Sequence, residues 1–276
     1  MISCEAHLLS LDAGASPKDV VSSLKDKYEV LVAGIPHGWI HKPHQQDANR
    51  LRGHDWHLFV LTAATSEPLE SDATTVAHLR IDISITEDQY KHLLCSRATQ
   101  PKPLPTTPPL AAKWTKPTTG ELRIPKSHNL DPVKSPLGPG ELRLDSEMTK
   151  FLSSALPSTI SSKPVSLFNL FKYRNGDSSV HDKYMNDFKQ NFGDSAGARV
   201  RFMGPVRSGL KQNFADDEAS VHRGWQDANL VQYDTIFHYA YMLSTEIYQE
   251  LNKDKVHGLE DTCILMISEA EIAQPD

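Results

Sequence analysis

The stretch VSLFNLFKYRNGDSSVHDKYMNDFKQNF, residues 165–192, decides the fold. Its first nine residues are mostly apolar and predict a strand, and the NGD at 175–177 is typical of a turn. Apolar residues then recur at every fourth position, which predicts an amphipathic helix. The positions that carry this pattern are Val180, Tyr184, Phe188 and Phe192. A strand, a tight turn and a helix open a βαβ unit.

The remainder of the C-terminal half completes this unit. Apolar runs predict three more strands, and a helix that breaks near Ser244 separates the last two of them. The strands are 198–206, 227–234 and 261–269, and the helix is 235–251. The order β-α-β-β-α-β is the split βαβ of a ferredoxin-like unit. A further helix is predicted at 146–156, where Pro157 ends it.

The N-terminal half has a similar order of elements, β-α-β-β-β-α. Ser16 as N-cap and Pro17 in the first turn predict the first helix, and Thr86 with Gln89 forms a capping box before the second. The helices are 16–27 and 86–94, and the strands are 6–11, 28–34, 55–63 and 75–85. The sequence therefore predicts an α+β protein in which two ferredoxin-like halves form a barrel-like pseudo-dimer within one chain.

A proline-rich segment separates the two halves. Ten of the eighteen prolines lie in residues 99–143, and proline fixes φ and removes a backbone donor, so neither a helix nor a central strand is expected there. We predict an N-terminal half at 1–98, an extended linker at 99–145 and a C-terminal half at 146–276. Trp114 and two GELR repeats (120–123 and 140–143) suggest that the linker touches the body.

Residues 165–269 resemble the DUF1330 family of the dimeric α+β barrel superfamily. The matching segments are SLFNLFKYRNGD, YMNDF, ARVRFMGPV, WQDANLVQYD and HGLEDTCILM. The first half resembles the same superfamily more faintly, in an EthD-like way, and DWHLFVL is its best-matched strand. Two features depart from the family pattern: His257 stands where the family has an arginine, and residues 207–224 are an insertion. The resemblance implies a cavity between sheet and helices and chemistry on small molecules.

Composition excludes several classes of function. A net charge of −6 argues against a nucleic-acid partner, which needs a basic patch. No apolar run reaches the ~20 residues that span a bilayer, and the N-terminus lacks the features of a signal peptide. The three cysteines lie far apart, which is typical of reduced thiols and a cytoplasmic protein; they are Cys4, Cys95 and Cys263. A homodimer is compatible with this composition.

Five of the thirteen histidines lie between residues 34 and 59. They are His37, His41, His44, His54 and His57. Metal binding is disfavoured because prolines and glycines in this stretch prevent the helix that would align two ligands on one face. We therefore predict no metal site. The stretch is either a solvated loop or a site of proton transfer and substrate contact.

The proposed catalytic residues are His57, Asp55, His78 and His257. Asp55 and His57 would share one face of the strand at 55–63, where a carboxylate can orient an imidazole for acid–base catalysis. If the neighbouring strand pairs with this one, His78 would line the same wall; the alternative is that the wall faces water. His257 is a candidate because it replaces the family arginine.

The proposed substrate contacts include one buried amide and several aromatic side chains. Asn169 is the only amide on an apolar strand face, so it needs a partner from the protein or a ligand. Tyr184 and Tyr233 are either core residues or substrate contacts, and Trp225 is either a lid anchor or a packing residue. The complete set is His37, Trp39, His41, Asn169, Tyr173, Tyr184, Trp225 and Tyr233.

The sequence contains no GxSxG, P-loop or dinucleotide fingerprint. We therefore expect a cofactor-independent enzyme that acts on a hydrophobic or aromatic small molecule by lyase, cyclase or isomerase chemistry. Two alternatives remain open. The protein could be a non-catalytic small-molecule-binding or stress-response protein, or a cofactor-free monooxygenase.

Overall fold

The computed structural model describes residues 1–45, 48–65, 69, 74–95, 141–156, 162–193, 197–212, 224–269 and 272, with only the backbone of 208–212. Eight strands form a closed barrel in which every neighbouring pair is antiparallel. The strands are β1 (Ile2–Leu11), β2 (Val30–His41), β3 (Leu58–Ala63), β4 (Thr75–Ile85), β5 (Val165–Tyr173), β6 (Ala198–Gln212), β7 (Asp227–Tyr233) and β8 (Leu259–Ser268).

Helices connect and flank these strands. The N-terminal half has α1 (Pro17–Lys27), α2 (Ala48–Arg52) and α3 (Glu87–Cys95). The C-terminal half has α4 (Ser146–Ser154), α5 (Ser179–Phe192), α6 (Ile236–Leu243) and α7 (Glu246–Gly258). Ser244 ends α6, and the Thr245 side chain caps α7, so the break predicted near Ser244 is confirmed.

The strand order around the barrel confirms the predicted fold class. The N-terminal half contributes β4-β1-β3-β2 and the C-terminal half contributes β8-β5-β7-β6. Each is the 4-1-3-2 order of a ferredoxin-like sheet. The halves join at two seams, where β2 pairs with β8 and β4 pairs with β6. The two sheets therefore form one barrel within a single chain.

The barrel interior is filled by apolar side chains from all eight strands. Phe59 and Phe168, one from each half, meet there with ring centroids 4.9 Å apart. Two further apolar layers lie outside the barrel. One packs α1 against the N-terminal sheet, and the other packs α4 to α7 against the C-terminal sheet. Since the interior is packed, a ligand site is expected on an outer face.

Several sequence-predicted boundaries differ from the structure, and three strand boundaries show the reason. β2 was expected to end at residue 34, but it continues to His41 because it pairs with β8 across two bulges. β3 begins at Leu58, so Asp55 and His57 are not on a strand. β6 extends to Gln212, into the segment interpreted as an insertion, because it pairs with β4. In each case long-range pairing sets the strand end.

The end of the predicted linker packs on the C-terminal half. Residues 141–145 are extended and lead into α4, and we call them the strap. Leu142 and Leu144 of the strap are buried in the outer core of that half. The remaining linker, with Trp114 and the first GELR, lies outside the described residues. The C-terminal apolar layer therefore includes two residues of the predicted linker, Leu142 and Leu144.

Each seam contains a glycine that permits close approach of two strands. A Cβ on Gly34 in β2 would overlap Ile267 of β8, and a Cβ on Gly204 in β6 would overlap the Ser84 carbonyl oxygen of β4. The two glycines occupy the second strand of their respective halves. Barrel closure thus depends on the same residue type at both seams.

We predict that Gly204→Ala lowers the free energy of unfolding by about 2 kcal/mol or more, because the new methyl group forces β6 away from β4. Denaturant titration measures the effect, with Ser22→Ala on the exposed side of α1 as control. A Gly204→Ala protein as stable as the control variant would contradict the role assigned to this seam.

Candidate functional site

A small cavity lies between the outer face of the C-terminal sheet and helices α5, α6 and α7. Its free volume is about 30 Å³, which is room for one or two water molecules. Apolar side chains form most of the wall. The polar lining residues are Asn169, Asn229, Lys255 and the tyrosines 184, 233, 239 and 248. We call this space the Lys255 cavity.

Lys255 is the cationic residue of this cavity. It lies in the last turns of α7, and only 3% of its surface is exposed. Burial lowers its pKa from 10.5 to about 7, because desolvation penalises the ammonium form. In the part of the chain that the structure describes, no carboxylate forms an ion pair with it. A large fraction of Lys255 is therefore a neutral amine at physiological pH.

Four tyrosines surround the cavity, and three of their hydroxyls have partners. Tyr248 interacts with Tyr184 and lies 3.4 Å from Asn252 Oδ1, while Tyr233 donates to the sulfur of Met242 at 3.4 Å. Tyr239 is 1% exposed, and its hydroxyl has no partner among the described residues. Burial raises the pKa of Tyr239, so it is a neutral donor that is available to a ligand.

Two asparagines on neighbouring strands supply amide groups. The Asn169 amide nitrogen of β5 donates to Asn229 Oδ1 of β7 at 2.7 Å and to the Leu167 carbonyl at 3.0 Å. These bonds use the nitrogen of Asn169 and leave its Oδ1 without a donor among the described residues. Asn169 therefore has the protein partners considered from the sequence, and it also presents an acceptor at the cavity wall; its contact with a ligand stays a prediction.

The strap separates the Lys255 cavity from an outer groove of about 600 Å³. Leu142 lines the cavity, whereas Glu141 and Arg143 on either side line the groove. The strap is held by α7, since Asn252 and Gln249 donate to the Leu142 carbonyl at 3.4 and 3.5 Å. Leu142 thus closes the route from the groove to the amine.

A chain of hydrogen bonds lies beside the cavity. The Tyr173 hydroxyl donates to Asp227 Oδ2 at 2.6 Å and is 3.2 Å from His181 Nδ1. Since that hydroxyl proton is used, His181 must donate from Nδ1, which leaves its Nε2 as an acceptor. This Nε2 is buried without a partner among the described residues. Burial first and then Lys255 lower the pKa of His181 to about 3.

The N-terminal sheet carries a different polar cluster on its outer face. His7 is fully buried and contacts His78 at 2.9 Å, Thr62 at 3.3 Å and Glu5 at 3.5 Å. Arg80 in turn pairs with Glu5 at 2.8 Å. Burial lowers the pKa of His7 well below 6.5 and that of His78 to about 4. The members of this cluster are hydrogen-bonded to one another.

The catalytic residues proposed from the sequence do not come together. Asp55 and His57 are exposed ahead of β3, and His57 Nδ1 accepts from the Leu11 amide at 2.9 Å. His78 is buried in the N-terminal cluster, so His57 and His78 do not line one wall. His257 is exposed in the outer groove, where its carbonyl accepts from Arg174 at 3.2 Å. The expectation of a shared wall is wrong because β1 lies between β3 and β4 and pairs with both of them, and because β3 begins only after His57.

The proposed substrate contacts divide into three groups. Asn169, Tyr184 and Tyr233 line the Lys255 cavity, and Tyr173 lies beside it in the chain with His181. Trp225 packs into the barrel interior, and Trp39 packs against that core. His41 is buried at the end of β2, and His37 is partly buried. Burial first and then Lys255 lower the pKa of His41 to about 4.

Sequence reasoning missed the central residue of the site. Tyr248, Asn252 and Lys255 follow the spacing of one helix face, which would have placed Lys255 on the buried side of α7. The signal was missed because the helix was expected to end at residue 251. Tyr239 and Asn229 also line the cavity, and both fall within correctly predicted elements.

Neither a metal-binding cluster nor a membrane-spanning helix is found among the residues that the structure describes. No three side chains of His, Cys, Asp or Glu are arranged to hold a metal ion. No described helix combines the length and apolar character of a membrane span. All three cysteines are free thiols, and Cys95 is the exposed one.

The chain matches no known protein family and no curated protein in sequence. Among solved structures it is similar to RPA0582, a protein of unknown function from Rhodopseudomonas palustris. The identity is 15% over 50% of this chain and all of that one, with a TM-score of 0.38. The methylated form of RPA0582 gives 15% identity, coverage of 51% and 93%, and a TM-score of 0.34. This likeness is too distant to support a conclusion on activity.

We predict that Tyr239→Phe raises the free energy of unfolding of the unliganded protein by about 1 kcal/mol, because a buried hydroxyl without a partner is costly. Tyr248→Phe is the matched control. Its hydroxyl is hydrogen-bonded, so the same change should lower stability by about 1 kcal/mol. Equal losses in both variants, measured by denaturant titration, would show that the Tyr239 hydroxyl is satisfied.

We also predict that stability falls in acid because four buried histidines have lowered pKa values: His7, His41, His78 and His181. The folded protein keeps each ring neutral, whereas the unfolded chain protonates it below about pH 6.5. This contribution is complete above that pH and is lost as the pH falls toward 4, by about 1.4 kcal/mol per pH unit for each ring.

His78→Gln tests this assignment by removing one of the four rings. Its unfolding free energy should depend less steeply on pH than that of the wild type, by about 1.4 kcal/mol per unit between about pH 6 and 5. Two parallel curves would mean that His78 titrates alike in the folded and unfolded states.

Proposed function

We propose that the protein is a cofactor-independent enzyme that moves a proton on a small carbonyl compound in the Lys255 cavity. One observation carries this proposal: among the described residues, a buried amine without a counter-ion shares a small cavity with an unpartnered hydroxyl. Perturbed titrating groups with free donors and acceptors in one enclosed space are typical of catalytic sites.

The lining residues suggest a division of roles. The neutral Lys255 amine removes a proton from the carbon next to the carbonyl group, as a general base whose pKa lies near the working pH. The Tyr239 hydroxyl donates to the carbonyl oxygen as negative charge develops on it. Asn169 Oδ1 accepts from a substrate hydroxyl or from bound water. Apolar side chains, such as Leu167 and Met185, enclose the carbon skeleton.

The cavity volume limits the substrate while the strap is closed. About 30 Å³ accommodates only a very small molecule, so larger or aromatic substrates require Leu142 to move toward the outer groove. Leu142 lines the cavity and its neighbours Glu141 and Arg143 line the groove, which favours this route of access. The same small volume is the observation that favours the second candidate, a non-catalytic binding protein for small carbonyl compounds.

The resemblance of residues 165–269 to DUF1330 proteins gives further support to this proposal. It supports a ligand site between the C-terminal sheet and its helices, which is the position of the Lys255 cavity. It does not identify the reaction, since related folds carry different chemistries. Dehydrating lyases and keto–enol isomerases that act on carbonyl compounds begin with the proton removal proposed for Lys255. The free thiols fit the reducing cytoplasm that we propose as its location.

We predict that the wild-type protein catalyses exchange of α-protons for deuterium in small aldehydes or ketones, followed by proton NMR in deuterium oxide. Lys255→Met should lower this rate by ~10²–10⁴-fold, as expected for loss of a general base. The control is Lys253→Met on the same helix, which removes an exposed lysine paired with Glu250 and should retain the wild-type rate. A Lys255→Met variant with wild-type exchange would refute the proposed role.

The same variant should be more stable than the wild type near neutral pH. Folding lowers the pKa of Lys255 from 10.5 to about 7. Burial of this side chain therefore costs free energy of folding at every pH below 10.5. That cost is on the order of a few kcal/mol at pH 7. A loss of exchange together with a gain in stability would separate catalysis from folding.

A further inference from the structure

We infer that Lys255 acts on its substrate as a nucleophile and captures a small aldehyde or ketone as a covalent imine. This inference rests on the proposed function, since it places the same class of substrate in the same cavity. It adds a bond between the lysine nitrogen and the carbonyl carbon. The proposed proton transfer alone would leave enzyme and substrate unlinked.

The geometry favours addition of the amine to a carbonyl group. The cavity is so small that a carbonyl carbon admitted to it must lie against the lysine side chain. No described carboxylate is paired with the amine, so its lone pair is not withheld by a salt bridge. A lysine desolvated in an apolar pocket is the form that attacks carbonyl compounds.

The step balances with groups that are already present. The Lys255 nitrogen forms a bond to the carbonyl carbon, and the carbonyl oxygen receives a proton from the Tyr239 hydroxyl. The amine proton returns to Tyr239 directly or through the water molecule that the cavity can hold. Tyr239 then donates a proton to the same oxygen a second time, water leaves, and the proton on the imine nitrogen returns to Tyr239, so that the products are the neutral imine and one water molecule. No oxidant, reductant or metal takes part.

The titrating groups that face Lys255 come from every element packed around it. They are His41 of β2, His181 and Tyr184 of α5, Tyr233 of β7, Tyr239 of α6, and Tyr248 of α7 itself. Burial raises the pKa of each of these tyrosines and lowers that of both histidines. All six therefore remain neutral near pH 7, and none supplies a charge that would keep the amine protonated.

This neutrality makes Lys255 chemically distinct from surface lysines. About half of Lys255 is neutral at pH 7, given its pKa of about 7. An exposed lysine with a pKa near 10.4 is neutral in only about one molecule in 2,500. Covalent capture at pH 7 should therefore favour Lys255 over exposed lysines if access is equal. Restricted access past Leu142 reduces this preference.

The test is reductive trapping on the full-length wild-type protein at pH 7. Acetaldehyde, acetone and benzaldehyde are added separately with sodium cyanoborohydride, and peptide mass mapping locates the alkylated amines. We expect modification of Lys255 at least ten times faster than that of Lys253 on the same helix. Tyr239→Phe should slow the trapping several-fold, because the carbonyl oxygen loses its proton donor.

Each outcome decides the inference. Preferential modification of Lys255 supports it, and equal modification of Lys253 and Lys255 overturns it. If Lys255 stays unmodified while α-proton exchange still depends on it, Lys255 is a base only; the inference falls and the proposed function stands. If neither trapping nor exchange occurs, both fall. The mapping uses the wild-type chain, so it does not depend on the folding of any variant.

Discussion

The open edges of two ferredoxin-like sheets are the constraint on which the rest of this structure depends. An unpaired edge strand leaves its backbone donors and acceptors without partners and invites aggregation. Here β2 pairs with β8 and β4 pairs with β6, so each half satisfies both edges of the other. Closure requires the close strand approach that Gly34 and Gly204 permit. It also directs Phe59 and Phe168 into a packed interior, which leaves the outer faces for function.

The two outer faces are equivalent in topology and different in chemistry. Each carries a buried polar side chain on its first strand, His7 in β1 and Asn169 in β5. In the N-terminal half, the polar groups around His7 bond to one another. In the C-terminal half, helices cover the sheet but leave a cavity whose amine has no counter-ion among the described residues. This difference is the basis for placing the proposed site in the C-terminal half.

Burial of Lys255 is costly, and nothing in the described part of the chain offsets it with an ion pair. A buried lysine contributes less to stability than an apolar residue of similar volume would, because its ammonium form is desolvated. A loss of stability of this kind is typical of residues in active sites. The unpartnered Tyr239 hydroxyl in the same cavity adds a second such cost. Together these features distinguish the Lys255 cavity from ordinary packing between a sheet and its helices.

The sequence by itself determined the elements and the fold class. The four-residue spacing from Val180 to Phe192 and the break at Ser244 reflect local rules of periodicity and capping, which act within a few residues. Tertiary structure alone decided where β2 ends and where β3 begins, because these boundaries depend on pairing with β8 and β1. It also decided the site. Asp55 and His57 are close in sequence yet exposed, whereas Lys255, Tyr239 and Asn169 meet only because a sheet and two helices pack together. The helix spacing of Tyr248, Asn252 and Lys255 indicates a buried face, but the groups that Lys255 meets on that face are decided by the packing of the sheet and helices.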